Sequence, residues 1–143
     1  MTNMMRMLQA GKDLHIKGEF GIGHCGEFDI EFSPDTVSAV PLVTAAASDG
    51  LHHIGCGITV GESGCYMYYW HCEIASTEGD PELLLTVNHE PELLLDEHLF
   101  PELFSGNGFV DLEAGDVVNL ELRHPFKGAV QGRSALLTLV KAD

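Results

Sequence analysis

The sequence predicts an all-β, antiparallel sandwich, and three observations carry that prediction. Short apolar segments are punctuated throughout by Gly, Pro, Asn and Asp, the rhythm of strands and turns. No segment holds a convincing helical period. Finally, residues 64–74 and 134–141 are apolar at both parities, so both faces of these strands are expected to be buried. A chain of 143 residues builds one core. The second face is therefore expected to meet another copy of the chain.

Taken in order, residues 1–18 are Met-rich and weakly patterned (Met4, Met5, Met7, Leu8) and read as an N-terminal tail or docking segment ahead of one domain, 19–143. Residues 27–32 alternate, with Phe28, Ile30 and Phe32 on one face, and end at Ser33-Pro34-Asp35. Residues 37–47 are apolar but interrupted by Pro41, which predicts an edge strand or a broken pair. After the Asp49-Gly50 turn, 51–60 reads as a strand, and Gly61-Glu62-Ser63-Gly64 as a hairpin leading into the Tyr-rich strand. Alternation then puts Tyr66, Tyr68, Trp70, Cys72 and Ile74 on one face, and Cys65, Met67, Tyr69 and His71 on the other.

Beyond the Thr77–Asp80 turn, a Pro-Glu-Leu motif recurs at 81, 91 and 101. Its first copy predicts a strand over 82–88 and its second a strand or a helical turn. Its third leads into a strand over 103–113. Ala114-Gly115-Asp116 turns the chain into a strand at 117–123, residues 124–133 read as a loop, and 135–140 as the closing strand. Eight to ten short strands of this kind close as a sandwich or jelly roll.

The formal net charge of -15 is concentrated. All seven Lys and Arg lie at the ends, and none falls between Gly18 and Leu122. Such a surface repels nucleic acid and anionic lipid and suits a divalent cation or a cationic partner. No run approaches the ~20 apolar residues that span a bilayer, so no membrane insertion is expected, and the N-terminus lacks signal-peptide shape. Of four cysteines, Cys25, Cys56, Cys65 and Cys72, no two form a Cys-x-x-Cys pair, and free buried thiols are expected.

Candidate chemistry is sparse. The predicted hairpin would set His53 opposite Cys72 and His52 opposite Glu73, but neighbours along a strand diverge, so the pairs do not converge on zinc. A cupin-like metal-dependent enzyme using His52, His53 or His71 lacks the His-x-His and following Glu that it needs. Gly61-Glu62-Ser63-Gly64 is not a nucleophile elbow. Calcium is the more reasonable ligand, at Asp111, Glu113 and Asp116, with a second acidic cluster at Asp80, Glu82, Glu90 and Glu92.

Three motifs in order resemble a known superfamily. Gly64-x-Tyr66-x-Tyr68-x-Trp70 resembles the Gly-x-Tyr-x-aromatic-x-Tyr strand of the tumour necrosis factor-like proteins, including complement-type globular heads and the C-terminal heads of bacterial exosporium collagen-like glycoproteins. Residues 112–118 resemble their Leu-x-x-Gly-Asp-x-Val turn, and 134–141 their closing strand. Residues 83–88 sit where they place a strand ending in Asn-Gly, with His89 in place of the Gly. The resemblance covers roughly 51–143, and residues 1–50 hold no Gly-X-Y collagen repeat.

It implies a ten-stranded jelly roll, a tight homotrimer, no catalysis, and an extracellular, cell, spore or virion surface. Tyr66, Met67, Tyr68, Tyr69, Trp70, Leu136, Leu137, Leu139 and Val140 are then core or trimer contact. The function expected is a structural, oligomerisation and recognition head. The alternative is a receptor- or glycan-binding head with calcium-bridged acidic loops.

Overall fold

Strand alternation puts Tyr66, Trp70, Cys72 and Ile74 on one side of a long strand, and the two layers of the fold close over that side. The structure, a computed structural model, describes residues 20–34, 36–47, 51–52, 57–79, 81–97, 99–124 and 126–142. These hold β1 (Phe20–Cys25), β2 (Phe28–Phe32), β3 (Thr36–Ala39), β4 (Val43–Ala47), β5 (Leu51–His52) and β6 (Ile58–Val60). They continue with β7 (Gly64–Glu78), β8 (Glu82–Val87), β9 (Glu90–Asp96), β10 (Leu103–Leu112), β11 (Val117–His124) and β12 (Gly128–Lys141).

Sheet A runs β10-β7-β12-β1-β4, with β2 also on β12; sheet B runs β5-β6-β11-β8-β9, with β3 also on β11. Every described pairing is antiparallel. The chain changes sheets after β2, β3, β4, β6, β7, β9, β10 and β11. The inner faces meet in one core. Tyr66, Trp70, Leu137 and Leu139 come from sheet A, and Leu83, Leu85, Leu120 and Leu122 from sheet B. Each such side chain contributes about 1.5–3 kcal/mol when fully removed from water.

Four expectations need correction. Residues 61–64 do not make a hairpin: β6 pairs with β5 and β11 in sheet B, whereas β7 lies in sheet A. Gly61, Glu62 and Ser63 carry the chain across the sandwich so that Val60 and Tyr66 both reach the core. The Tyr66 hydroxyl donates to the Glu62 carbonyl at 2.7 Å, which secures the crossing. Residues 51–60 are not one strand but two, β5 folding back on β6. The pairs of His53 with Cys72 and His52 with Glu73 therefore do not form. Cys72 lies between Phe104 and Ala135, Glu73 between Leu103 and Ser134, and His53 falls outside the described residues. Lastly, 124–133 is largely strand, because β12 already pairs with β2 from Gly128 onward.

β12 exchanges β2 for β1 as its neighbour around Gly132, where its register against β7 shifts. A side chain at 132 would occupy the space of the Phe28 ring, which lies over the bare backbone. Pro41 separates β3 and β4 into different sheets, the broken pair expected of it. The tail expected at 1–18 lies outside the described residues.

Asn88 and His89 turn β8 into β9 with φ of 55° and 64°. Two successive left-handed residues make the tight turn that fits strand twist. The Asn88 amide donates to Asp116 and its carbonyl oxygen accepts from the Val117 N–H, so this turn is tied to the Gly115-Asp116 turn. His89 reaches the outward face of sheet B, where its Nδ1 lies 2.9 Å from the Glu121 carboxylate. The same carboxylate oxygen accepts the Thr86 hydroxyl at 2.7 Å, and Glu121 is only 3% exposed.

Two outcomes test this account of the fold. In urea unfolding Gly132→Ala should lower the stability clearly, whereas Gly26→Ala, where nothing lies within 4 Å of an added methyl, should leave the unfolding free energy within about 0.5 kcal/mol of the parent. Thr86→Val should destabilise by about 1–3 kcal/mol, because a buried carboxylate loses a donor.

Candidate functional site: the outward face of sheet A

The register of sheet A arranges its outward side chains in rows. Phe109, Met67, Val140 and Phe20 make the first, and Asn107, Tyr69, Thr138 and Ile22 the second. Ser105, His71, Leu136 and His24 make the third, which Val43 extends; Leu103, Glu73 and Ser134 follow. The twelve positions of the first three rows hold no Asp, Glu, Lys or Arg, although the chain has 22 acidic residues. An uncharged, partly aromatic face therefore stands out on so acidic a molecule.

Burial across the face is graded. Ile22, Leu136 and Thr138 are buried, while Met67, Tyr69, His71 and Val140 are half-buried. Phe109 is 65% exposed and Leu103 61% exposed, and both belong to β10, the strand at the end of the sheet path. From Leu103 to Val110 that edge carries neither a charge nor a proline. Monomeric proteins blunt their edge strands with such residues.

The sequence left open which parity of the Tyr-rich strand faces inward. Tyr66, Trp70, Leu137 and Leu139 lie in the core and Tyr68 packs against it, half-buried. Met67, Tyr69, Leu136 and Val140 lie on the outward face. Sequence reasoning missed Phe20, Ile22, His24, Phe109 and Leu103 as parts of that face. The uncharged run at 103–110 was the available signal for the last two.

Among the described residues the rival sites are not assembled. Asp116 spends both carboxylate oxygens within its turn, one accepting the Glu113 N–H at 2.8 Å and the other the Asn88 amide at 3.0 Å. Asp111 stands on β10 opposite Cys65, and Glu82 pairs with Arg123 at 3.0 Å. His52 is on β5 in sheet B and His71 on β7 in sheet A, so the histidines of the cupin-like reading are in different sheets. Among the described residues no three His, Cys, Asp or Glu converge as metal ligands.

Neither a protein-family model nor a curated protein matches this sequence. Solved structures do. The PRD1 vertex protein P5 superposes with a TM-score of 0.62 at 12% identity, over 87% of this chain and 97% of that one. Murine APRIL gives 0.59 at 15% identity, over 86% and 99%. The Eiger TNF from S. frugiperda gives 0.58 at 12% identity, over 87% and 94%. The fold is thus the tumour necrosis factor-like jelly roll that the three sequence motifs implied.

The thiols follow from the same geometry. Cys25 and Cys72 flank Ala135 on the inner face, two strands apart, and neither forms a disulfide. Burial, and secondarily the nearby Cys25, push the Cys72 thiol up to about 12. Since its folded value is raised, the neutral thiol adds stability below the ordinary thiol range, and that stability is lost as pH climbs from about 9 toward 12. In the native state Cys72 should resist iodoacetamide while the half-buried Cys65 reacts, as peptide mapping would report. The alkaline fall in thermal midpoint should be shallower in Cys72→Ala than in the parent.

Proposed function

We propose that this chain is a non-enzymatic head domain that assembles as a homotrimer through the outward face of sheet A and serves as a structural and recognition module. The observation that carries the reading is that uncharged aromatic face, on a chain whose formal charge is -15. Likeness to tumour necrosis factor-like jelly rolls supports it.

The centre of the face and its β10 edge differ in exposure. One is a half-buried stripe around Tyr69, and the other is a largely exposed rim with Phe109 and Leu103. A contact that packs the rim of one copy on the stripe of the next is head-to-tail, and it ends only when rotation closes a ring. Three copies close such a ring while leaving the outward face of sheet B and the acidic turns free. Those surfaces suit a cationic protein or glycan partner by charge. One of the neighbours is named as a vertex protein, and we extend to this chain an extracellular or particle-surface location. The calcium-bridged alternative has no observation in its favour, since Asp116 is committed to its turn.

Light scattering on a sizing column tests the reading. A mass near three times 15.5 kDa, unchanged by chelator, is expected; a mass of 15.5 kDa at micromolar concentration would overturn it. Tyr69→Glu and Phe109→Glu should both reduce the mass to that of one chain. Phe109 is the sharper probe, because its ring is largely exposed in a single chain and its loss has little to unfold. Val37→Glu, exposed on β3 of sheet B, should leave the trimer intact.

A further inference from the structure

His71 is the unusual residue of the outward face. Its ring lies in the third row between Ser105 of β10 and Leu136 of β12, edge-on to Tyr69 with centroids 6.4 Å apart. Its Nδ1 is buried without a hydrogen-bond partner. On the far side of Leu136, in the same row, stands His24 of β1.

The groups facing His71 can be named strand by strand. β7 itself supplies Tyr69 and Glu73. β12 supplies Ser134, Leu136 and Thr138, and β10 supplies Leu103, Ser105 and Asn107, none of which carries charge. β1 supplies His24. One carboxylate, Glu73, therefore stands against two imidazoles, and it lies at the end of the face, in the row with Leu103 and Ser134.

We propose that His71 and His24 make assembly through this face pH-dependent: the subunit contact accepts the two rings neutral and rejects them charged, so the trimer loosens on acidification. The inference rests on the trimeric reading above and adds a regulator to it. A partly buried ring with an orphaned nitrogen gains nothing from a proton unless an acceptor is at hand, and a second subunit laid on the face removes more of the water that could serve. Burial, then repulsion by His24, already hold the His71 imidazole below its ordinary range, with Glu73 opposing them. Because the folded value is depressed, the neutral ring stabilises the structure above the usual histidine range, and that stability is lost as pH falls through the lowered value.

The direction of the effect separates it from the charge of the molecule as a whole. Acidification toward the pI of about 4.6 reduces the net negative charge and with it the repulsion between copies. General electrostatics therefore strengthens association at lower pH, and only a local cationic group within the contact weakens it.

The test is the trimer dissociation constant of the full chain, by sedimentation equilibrium at about pH 8 and about pH 5.5, values that bracket the histidine range. We expect the constant to be at least about tenfold larger at the lower pH, the equivalent of one unit of pKa shift. His71→Gln should lose most of that difference between the two pH values, whatever its constant at the higher one. His24→Gln should move the acid midpoint higher, because the repulsion that depresses His71 is gone, and should shrink the difference by removing one of the two rings; it serves as the probe if His71→Gln does not fold. Equal constants at both pH values, or an undiminished difference in the foldable variant, would overturn the switch while leaving the trimer standing. A single-chain mass already at the higher pH would overturn the trimer and the switch together.

Discussion

The pairing of β7 with β12 organises everything else in this molecule. The ladder runs from Ala129 opposite Glu78 to Lys141 opposite Tyr66, with register shifts only around Gly132. Because side chains alternate, one ladder generates two surfaces at once. Its inner side supplies Tyr66, Trp70, Leu137 and Leu139 to the core, and its outer side supplies Met67, Tyr69, Leu136 and Val140 to the exterior. A slip of one residue would exchange the two sets, sending Thr138 and His71 into the core. Core packing and the character of the exterior face are thus fixed by the same register and cannot be altered separately.

The ladder also explains where the sequence was legible. Long apolar strands declare themselves at both parities, so β7 and β12 and their double-sided character could be read from residues alone. The turn at Gly115 could be read as well, because its φ of 96° leaves glycine as the comfortable occupant. β1 could not. Its buried inward positions include Gly21 and Gly23, so an interior strand shows no hydrophobic alternation to find.

The short link at 61–63 misled for a different reason. A brief Gly-containing connection between two apolar segments is the usual hairpin signal, and its length says nothing about whether the partners share a sheet. What decided the matter was the need for Val60 and Tyr66 to enter one core from opposite layers, a tertiary demand that no local pattern records. The outward face was half legible: Met67, Tyr69, Leu136 and Val140 follow from parity. Ile22, His24 and Phe109 needed the strand order, since they come from segments distant in the chain.

The placement of the basic residues has a consequence for digestion by proteases. Proteases that cut after lysine or arginine meet no such residue between Gly18 and Leu122. Beyond that tract, Arg123 lies within β11 and pairs with Glu82, Arg133 lies within β12, and Lys141 ends β12 paired with Glu62, which leaves Lys127, exposed in the link between β11 and β12, as the accessible cut. A strand held on both sides by neighbours cannot extend into a protease cleft without first leaving its sheet. For most of its length the domain is therefore proof against trypsin-like digestion by composition, even in moments when it is unfolded. Over β11 and β12 it relies instead on the sheets remaining closed.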